Sequence, residues 1–338
     1  MWKITTGARL HCGLLETAPG YPFRFGGIGM MVETPSVVAV LKRSQVSAPV
    51  EVAGQLAQER LKKQISLANA LSTYLDVLGG TLEIVDLPMQ HAGFGTGTQI
   101  ACAAASLIKC QWMNTASNGS SPLDVAGKVS LEKIWESSTE LIQWSGRGKR
   151  STIGAFGFLR GGFIVDQGHN DQGHGQLGSQ LDVLEPLTVV LATPKQNSTI
   201  SGSDEDRMMS VVASQPNPHR QEMWDLICQS IVPAASEKRW DIFGNALNEY
   251  GKLAGVQFAS IQGGIYRNDQ VADLVARMQN LGLGGVCQSS WGPTVFGLSE
   301  DGELASRTAY QLKLYYGDDV TVELTRVKNR GAEIVLLE

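Results

Sequence analysis

The chain has 338 residues, 43% of them hydrophobic and 18% charged, with a formal net charge of −5. That is enough for one large or two ordinary domains with real cores. The acidic balance argues against broad nucleic-acid binding but allows a local basic pocket. Five cysteines, at 12, 102, 110, 228 and 287, form no C-x-x-C pair, so reduced thiols are expected rather than a disulfide framework. The stretch Met1 to Gly7 lacks the apolar core of a signal peptide, and no apolar run approaches the roughly 20 residues that span a bilayer. The expected setting is the cytoplasm, away from membranes.

In chain order, Trp2 to Leu15 and Gly29 to Leu41 alternate as strands around the glycine-rich turn Arg24-Phe-Gly-Gly-Ile-Gly29. Gln55 to Leu78 has helical spacing and stops at Gly79-Gly80. A strand over 81–87 runs into Pro88-Met-Gln-His-Ala-Gly-Phe-Gly-Thr-Gly-Thr-Gln99, and an Ala-rich helix follows over 98–113. Thr96 and Gln99 have capping-box spacing. A helix over 131–144 precedes Ser145-Gly-Arg-Gly-Lys-Arg-Ser151, and Ala155 to Asp166 reads as a strand broken at Gly161-Gly162. The polar, glycine-rich stretch 167–180 is taken as the boundary between domains at 1–180 and 181–338.

The second half repeats a βα rhythm. Leu187 to Thr193 is a buried strand. Helices are expected over 219–232, over 236–254 before Gly255, and from the cap Asn268 to Gly282. Gly284 to Ser290 and Thr294 to Leu298 flank a Trp291-Gly-Pro293 corner. A helix over 303–315 and strands at 319–327 and 332–337 complete two α+β layers, the second a split βαβ arrangement.

Three runs carry candidate chemistry. Gly93, Gly95 and Gly97 before a helix N-terminus form an anion site, with phosphate the usual occupant; a ligand-free turn is the plainer alternative. No Gly-Lys-Ser/Thr ending is present, so positive charge must come from elsewhere. Arg147, Lys149 and Arg150 suit phosphate or carboxylate capture, or form a solvated basic turn. Ser289, Ser290 and Trp291 offer hydroxyls and an aromatic wall, or a hairpin whose Trp packs in the core. The histidines have no zinc spacing: His169 and His174 read as loop residues, and His11 and His91 as structural neighbours of glycine-rich turns.

Pro88 to Thr98 resembles the central glycine-rich motif of the GHMP superfamily of small-molecule kinases, and Gly282 to Ser290 its C-terminal one. Ala8-Arg-Leu-His-Cys-Gly-Leu14, Arg24 to Gly29, Gly93 to Gln99, Gly161-Gly-Phe-Ile-Val165 and Gln288-Ser-Ser-Trp-Gly-Pro-Thr294 are most similar to the β-ribofuranosylaminobenzene 5′-phosphate synthase family. The resemblance implies an α+β GHMP-type two-domain fold, with a ribosomal protein S5 domain 2-like N-terminal domain and a ferredoxin-like C-terminal domain. It also implies a homodimer in tetrahydromethanopterin-type C1 metabolism, joining phosphoribosyl pyrophosphate to 4-aminobenzoate or 4-hydroxybenzoate with loss of CO₂ and pyrophosphate. Mg²⁺ is implied by the pyrophosphate substrate, with Glu33 and Asp166 as candidate ligands.

On this reading Gly93, Phe94, Gly95, Thr96, Gly97, Thr98 and Ser151 hold the phosphates. Arg147 and Arg150 neutralise phosphate oxygens, and Arg9 and His11 lie by the ribose. Ser289, Ser290 and Trp291 close an aryl pocket that Gly26 and Gly27 help to line. GHMP kinases commonly place an aspartate after a Ser-Gly pair, yet Arg150-Ser-Thr-Ile-Gly-Ala-Phe156 has no carboxylate, which suits attack by a ring carbon. An ATP-dependent small-molecule kinase and a non-catalytic phospholigand-binding protein are the alternatives.

Overall fold

The computed structural model describes residues 1–21, 23–43, 51–53, 80–116, 127–169, 175–181, 187–195 and 203–337. The helix expected over 55–78 and His174 lie outside them.

Strands β1 (Trp2–Leu14) and β2 (Gly27–Arg43) form the long antiparallel ribbon of an eight-stranded sheet. β3 (Glu51–Ala53) and β4 (Gly80–Asp86) extend it on one side. The helix α1 (Thr96–Ala116) packs across β1 and β2, burying Cys102, Ala105, Ile108 and neighbours. Its small residues let the helix lie close to the sheet. β5 (Lys128–Val129) closes the far edge.

The expected single helix over 131–144 is two pieces, Leu131–Ile134 and α2 (Ser138–Ser145). Ser137 restarts the helix by accepting the Glu140 amide. The expected strand from 155 begins instead as α3 (Ile153–Arg160), followed by β6 (Phe163–His169). A short, uniformly apolar run has no period that separates a buried strand from a buried helix. Here Ile153 to Phe158 are all buried, and positive φ at Gly161 and Gly162 turns the chain into β6. Within the polar segment after Gln167, β7 (Gly175–Leu181) pairs antiparallel with β6. His169 therefore lies in a strand, its ring edge-on to Phe25.

The second sheet is built from β8 (Thr188–Pro194), β9 (Gly284–Gln288), β10 (Val295–Ser299) and β11 (Val320–Arg326). Their order is β11-β8-β10-β9, every pair antiparallel. Helices α4 (Ser203–Val212), α5 (Arg220–Leu226, continued by a π turn and Val232–Ser236), α6 (Trp240–Gln262) and α7 (Asp269–Asn280) intervene between β8 and β9. α8 (Gly302–Tyr316) joins β10 to β11. This is the βαββαβ succession with the ferredoxin-like strand order expected of the second half.

The final strand, β12 (Glu333–Leu336), returns to the first sheet and pairs with β1 and β5. A division at residue 180 would separate it from the sheet it completes. One buried cluster also runs across both halves, from Leu10 and Met30 to Tyr250 and Phe296. None of the helices among the described residues is long and apolar enough to cross a membrane, and the five cysteines are free.

Candidate active site

A cavity of about 320 Å³ opens between the two sheets. Its lining includes a cationic set, Arg9 from β1 and Arg147, Lys149 and Arg150 from the turn after α2. It also includes a largely apolar set, Met209, Phe258, Ile265, Tyr266 and Trp291. His11, Thr98, Ser151 and Ser290 lie along the wall as well.

The glycine-rich loop lies against two of these cations, Arg9 and Arg147. The Gly95 carbonyl accepts the amides of Thr98 and Gln99 and so starts α1. The expected Thr96–Gln99 capping box does not form. The Gln99 side chain is instead buried, accepting from Thr6 Oγ1 at 2.7 Å and donating to the Gly154 carbonyl at 2.9 Å. A Cβ at Gly95 would come within 2.7 Å of Arg9 Nε, and one at Gly97 within 2.9 Å of an Arg147 terminal nitrogen. Arg147 Nε also donates to Thr98 Oγ1 at 3.3 Å.

Two guanidinium groups therefore rest on the loop, and from the loop itself only Thr98 reaches the cavity. Arg9 lies against Gly95 and Arg147 against Gly97, so guanidinium groups accompany the loop amides expected to contact phosphate. Phe94 packs in the core, its carbonyl accepting the Arg9 amide at 2.9 Å. Cations at a helix N-terminus oppose the helix dipole, and the first turn of α1 has no acidic residue to offset them. An anion in the cavity relieves that arrangement.

His11 joins three pieces of the site. The Gly13 amide donates to Nδ1 at 3.0 Å, so that nitrogen carries no proton and Nε2–H donates to Ser151 Oγ at 3.1 Å. Its backbone amide donates to Ser289 Oγ, and its carbonyl accepts the Ser290 amide. Burial, then the charge of Arg9, holds the imidazole well below its ordinary range. A neutral ring with both nitrogens engaged orients the site rather than moving protons.

Ser289 is fully buried, accepting from His11 and donating to the Gly93 carbonyl at 2.8 Å. Its hydroxyl is committed to holding the C-terminal loop against the glycine-rich loop. The two backbones touch there: a Cβ at Gly93 would lie 2.3 Å from the Ser289 carbonyl. Ser290, in contrast, lines the cavity, with a positive φ of 55°. Cys12 is also on the wall, but burial and the neighbouring Cys287 thiol push its pKa well up, so it is no thiolate nucleophile.

Trp291 stands edge-on to Phe258 at 4.8 Å, and its carbonyl accepts from Arg267 at 2.6 Å. The wall opposite is one face of α6: Gly251, Ala254, Gly255, Phe258 and Gln262. That face escapes the sequence reading, in which Gly255 ends the helix. The structure continues through it to Gln262 and stops at Gly263 in the left-handed conformation. Gly255 is there because a Cβ would lie 2.4 Å from the Ile265 carbonyl. Continued apolar spacing at Phe258 was the available signal.

Gly26 and Gly27 do not line the cavity. A Cβ at Gly26 would meet the Gln167 carbonyl at 2.7 Å, and one at Gly27 the Gly13 carbonyl at 2.3 Å, so both serve strand packing. Glu33 is exposed on β2, away from the cavity lining. Asp166 is fully buried, accepting the Thr152 and Gly168 amides at 2.8 and 2.9 Å. It anchors the turn that presents Ser151.

Burial pushes the Asp166 carboxyl from 3.8 up to about 6, against the pull of the Thr152 and Gly168 amides and the Ser151 hydroxyl. A raised folded-state pKa means the native state holds this proton more tightly than the unfolded chain. Its contribution is therefore most favourable below about 3.8 and declines as pH rises towards about 6. Unfolding by urea at a series of pH values should show wild type losing stability relative to Asp166→Asn across that window. A constant difference between the two would contradict this account of the buried carboxyl.

Residues 231–318 match the family described as GHMP kinases C terminal. The homoserine kinase of Cytophaga hutchinsonii superposes over 98% of this chain and 96% of its own, with a TM-score of 0.65 at 15% identity. Fold and matched segment are similar to those of the GHMP kinases. Over nearly its whole length the sequence is similar to β-ribofuranosylphenol 5′-phosphate synthases. The protein of that name from Methanocaldococcus jannaschii is 26% identical over 98% of this chain and 99% of its own length. The one from Methanothermobacter thermautotrophicus is 24% identical over 98% of each.

Proposed function

We propose that the chain is a decarboxylating phosphoribosyltransferase that joins phosphoribosyl pyrophosphate to 4-hydroxybenzoate. The relatives make a β-ribofuranosylphenol 5′-phosphate by name, which favours the hydroxy acid over 4-aminobenzoate. The observation that carries the reading is one cavity whose lining combines cations that suit a polyanion with aromatic side chains that suit an arene. The anomeric carbon loses pyrophosphate and becomes oxocarbenium-like. The ring carbon bearing the carboxylate attacks it, the C–CO₂ bond breaks, and its electron pair restores the aromatic ring. No oxidant or external proton is required.

Arg9, Arg147, Lys149 and Arg150 offset the charge on the departing diphosphate, with Thr98 and Ser151 as hydroxyl partners. Ser290 and Trp291 bound the arene. Neutral His11 keeps Ser151 and the C-terminal loop in register.

The described residues lining the cavity include no carboxylate, and no metal-binding group of three His, Cys, Asp or Glu occurs among the described residues. Asp166 has its oxygens on backbone amides and Glu33 lies elsewhere, so neither fits a Mg²⁺ ligand. A magnesium ion is expected to arrive on the substrate's own phosphate oxygens. The homodimer implied by the resemblance and the cytoplasmic setting expected from the sequence belong to the same reading.

The test is release of labelled CO₂ from carboxyl-labelled 4-hydroxybenzoate, dependent on phosphoribosyl pyrophosphate. Label transfer from ATP to an alcohol, without CO₂ release, would replace this reading with a kinase. The absence of a carboxylate from 150–156 weighs against that outcome.

A further inference from the structure

Among the residues lining the cavity beside Phe258 is an amide whose hydrogen bonding is incomplete. Gln262, on the last turn of α6, donates from Nε2 to the Ile265 carbonyl at 2.8 Å. A carbonyl can only accept, so this bond assigns the amide: nitrogen towards Ile265, Oε1 turned away. Among the described residues no donor reaches Oε1. The other lining glutamine has both its oxygen and its nitrogen engaged, since Gln288 accepts the Arg267 amide and donates to the Ser290 carbonyl. The α6 side of the cavity thus presents at Gln262 an oriented acceptor without charge.

Resting on the transferase reading, the chemistry of the arene fixes which way it must enter. Its carboxyl-bearing carbon has to meet the sugar where the diphosphate leaves, beside the arginines, so the para substituent points away from them, towards the apolar lining. We propose that Gln262 is the specificity-determining residue for the aryl acceptor, its Oε1 accepting the hydrogen of the para O–H or N–H. An acceptor there rejects arenes without a para donor, since its own hydrogen bond would go unmade. It also favours electron release from the para heteroatom into the ring as the C–C bond forms. A neutral amide, unlike a carboxylate base, does this without removing the proton.

Two readouts test it. Calorimetry of wild type with 4-hydroxybenzoate and with benzoate should show the hydroxy acid bound about tenfold more tightly, and Gln262→Leu and Gln262→Met should erase that preference. Steady-state kinetics of the same variants should show KM for 4-hydroxybenzoate raised about tenfold with KM for phosphoribosyl pyrophosphate unchanged. A preference that survives both substitutions, or an equal rise in the two KM values, would overturn the assignment. Were no CO₂ released by wild type, the transferase reading would fall while the binding arm still decided whether Gln262 reads a para donor.

Discussion

Arg147→Ala should lower kcat/KM for phosphoribosyl pyrophosphate by about 10²–10³ while leaving the protein folded. The guanidinium stacks over Gly97, donates to Thr98 and faces the cavity, so it is held where diphosphate charge develops. Because α1 presents its N-terminus behind that point, the anion gains from both the fixed charge and the dipole. Arg147→Lys should recover only part of the loss, since an ammonium cannot reproduce a planar fork held against the loop and bonded to Thr98. Steady-state kinetics with each substrate varied would check this. A change smaller than about threefold would remove Arg147 from the transition state.

Arg9→Met should separate stability from ligand response. Arg9 lies against Gly95 at the positive end of α1, where a cation is worth roughly −0.3 to −1 kcal/mol of stability at an exposed site. Methionine keeps the stem that packs there and drops the charge. The ligand-free variant should therefore melt no lower than wild type, whereas the rise in Tm given by pyrophosphate should largely disappear. Activity should fall by about 10² or more. A variant that melts well below wild type and still responds fully to pyrophosphate would show Arg9 to be a packing residue only.

The glycine-rich loop, the basic turn and the Ser289–Trp291 corner are legible because local chemistry marks them: glycines before a helix, clustered cations, hydroxyls at a turn. The ferredoxin-like half is legible from βα rhythm. What local pattern does not carry is which atoms fill the space above a loop. Nothing in Gly93 to Thr98 says that Arg9 and Arg147 lie on it, since that depends on β1 and the turn after α2 meeting there. The α6 wall was hidden by Gly255, which satisfies the rule for a helix end yet serves a close approach to Ile265. Ser289 and His11 were visible as polar residues near turns. Only their partners show that one staples two loops and the other orients them.

The most direct test is a crystal structure with phosphoribosyl pyrophosphate bound. The account predicts the diphosphate among Arg9, Arg147 and Arg150, with the anomeric carbon turned towards Trp291 and the slot beside Gln262 left for the arene. Diphosphate bound away from these arginines, or the sugar seated in the aromatic slot, would contradict it.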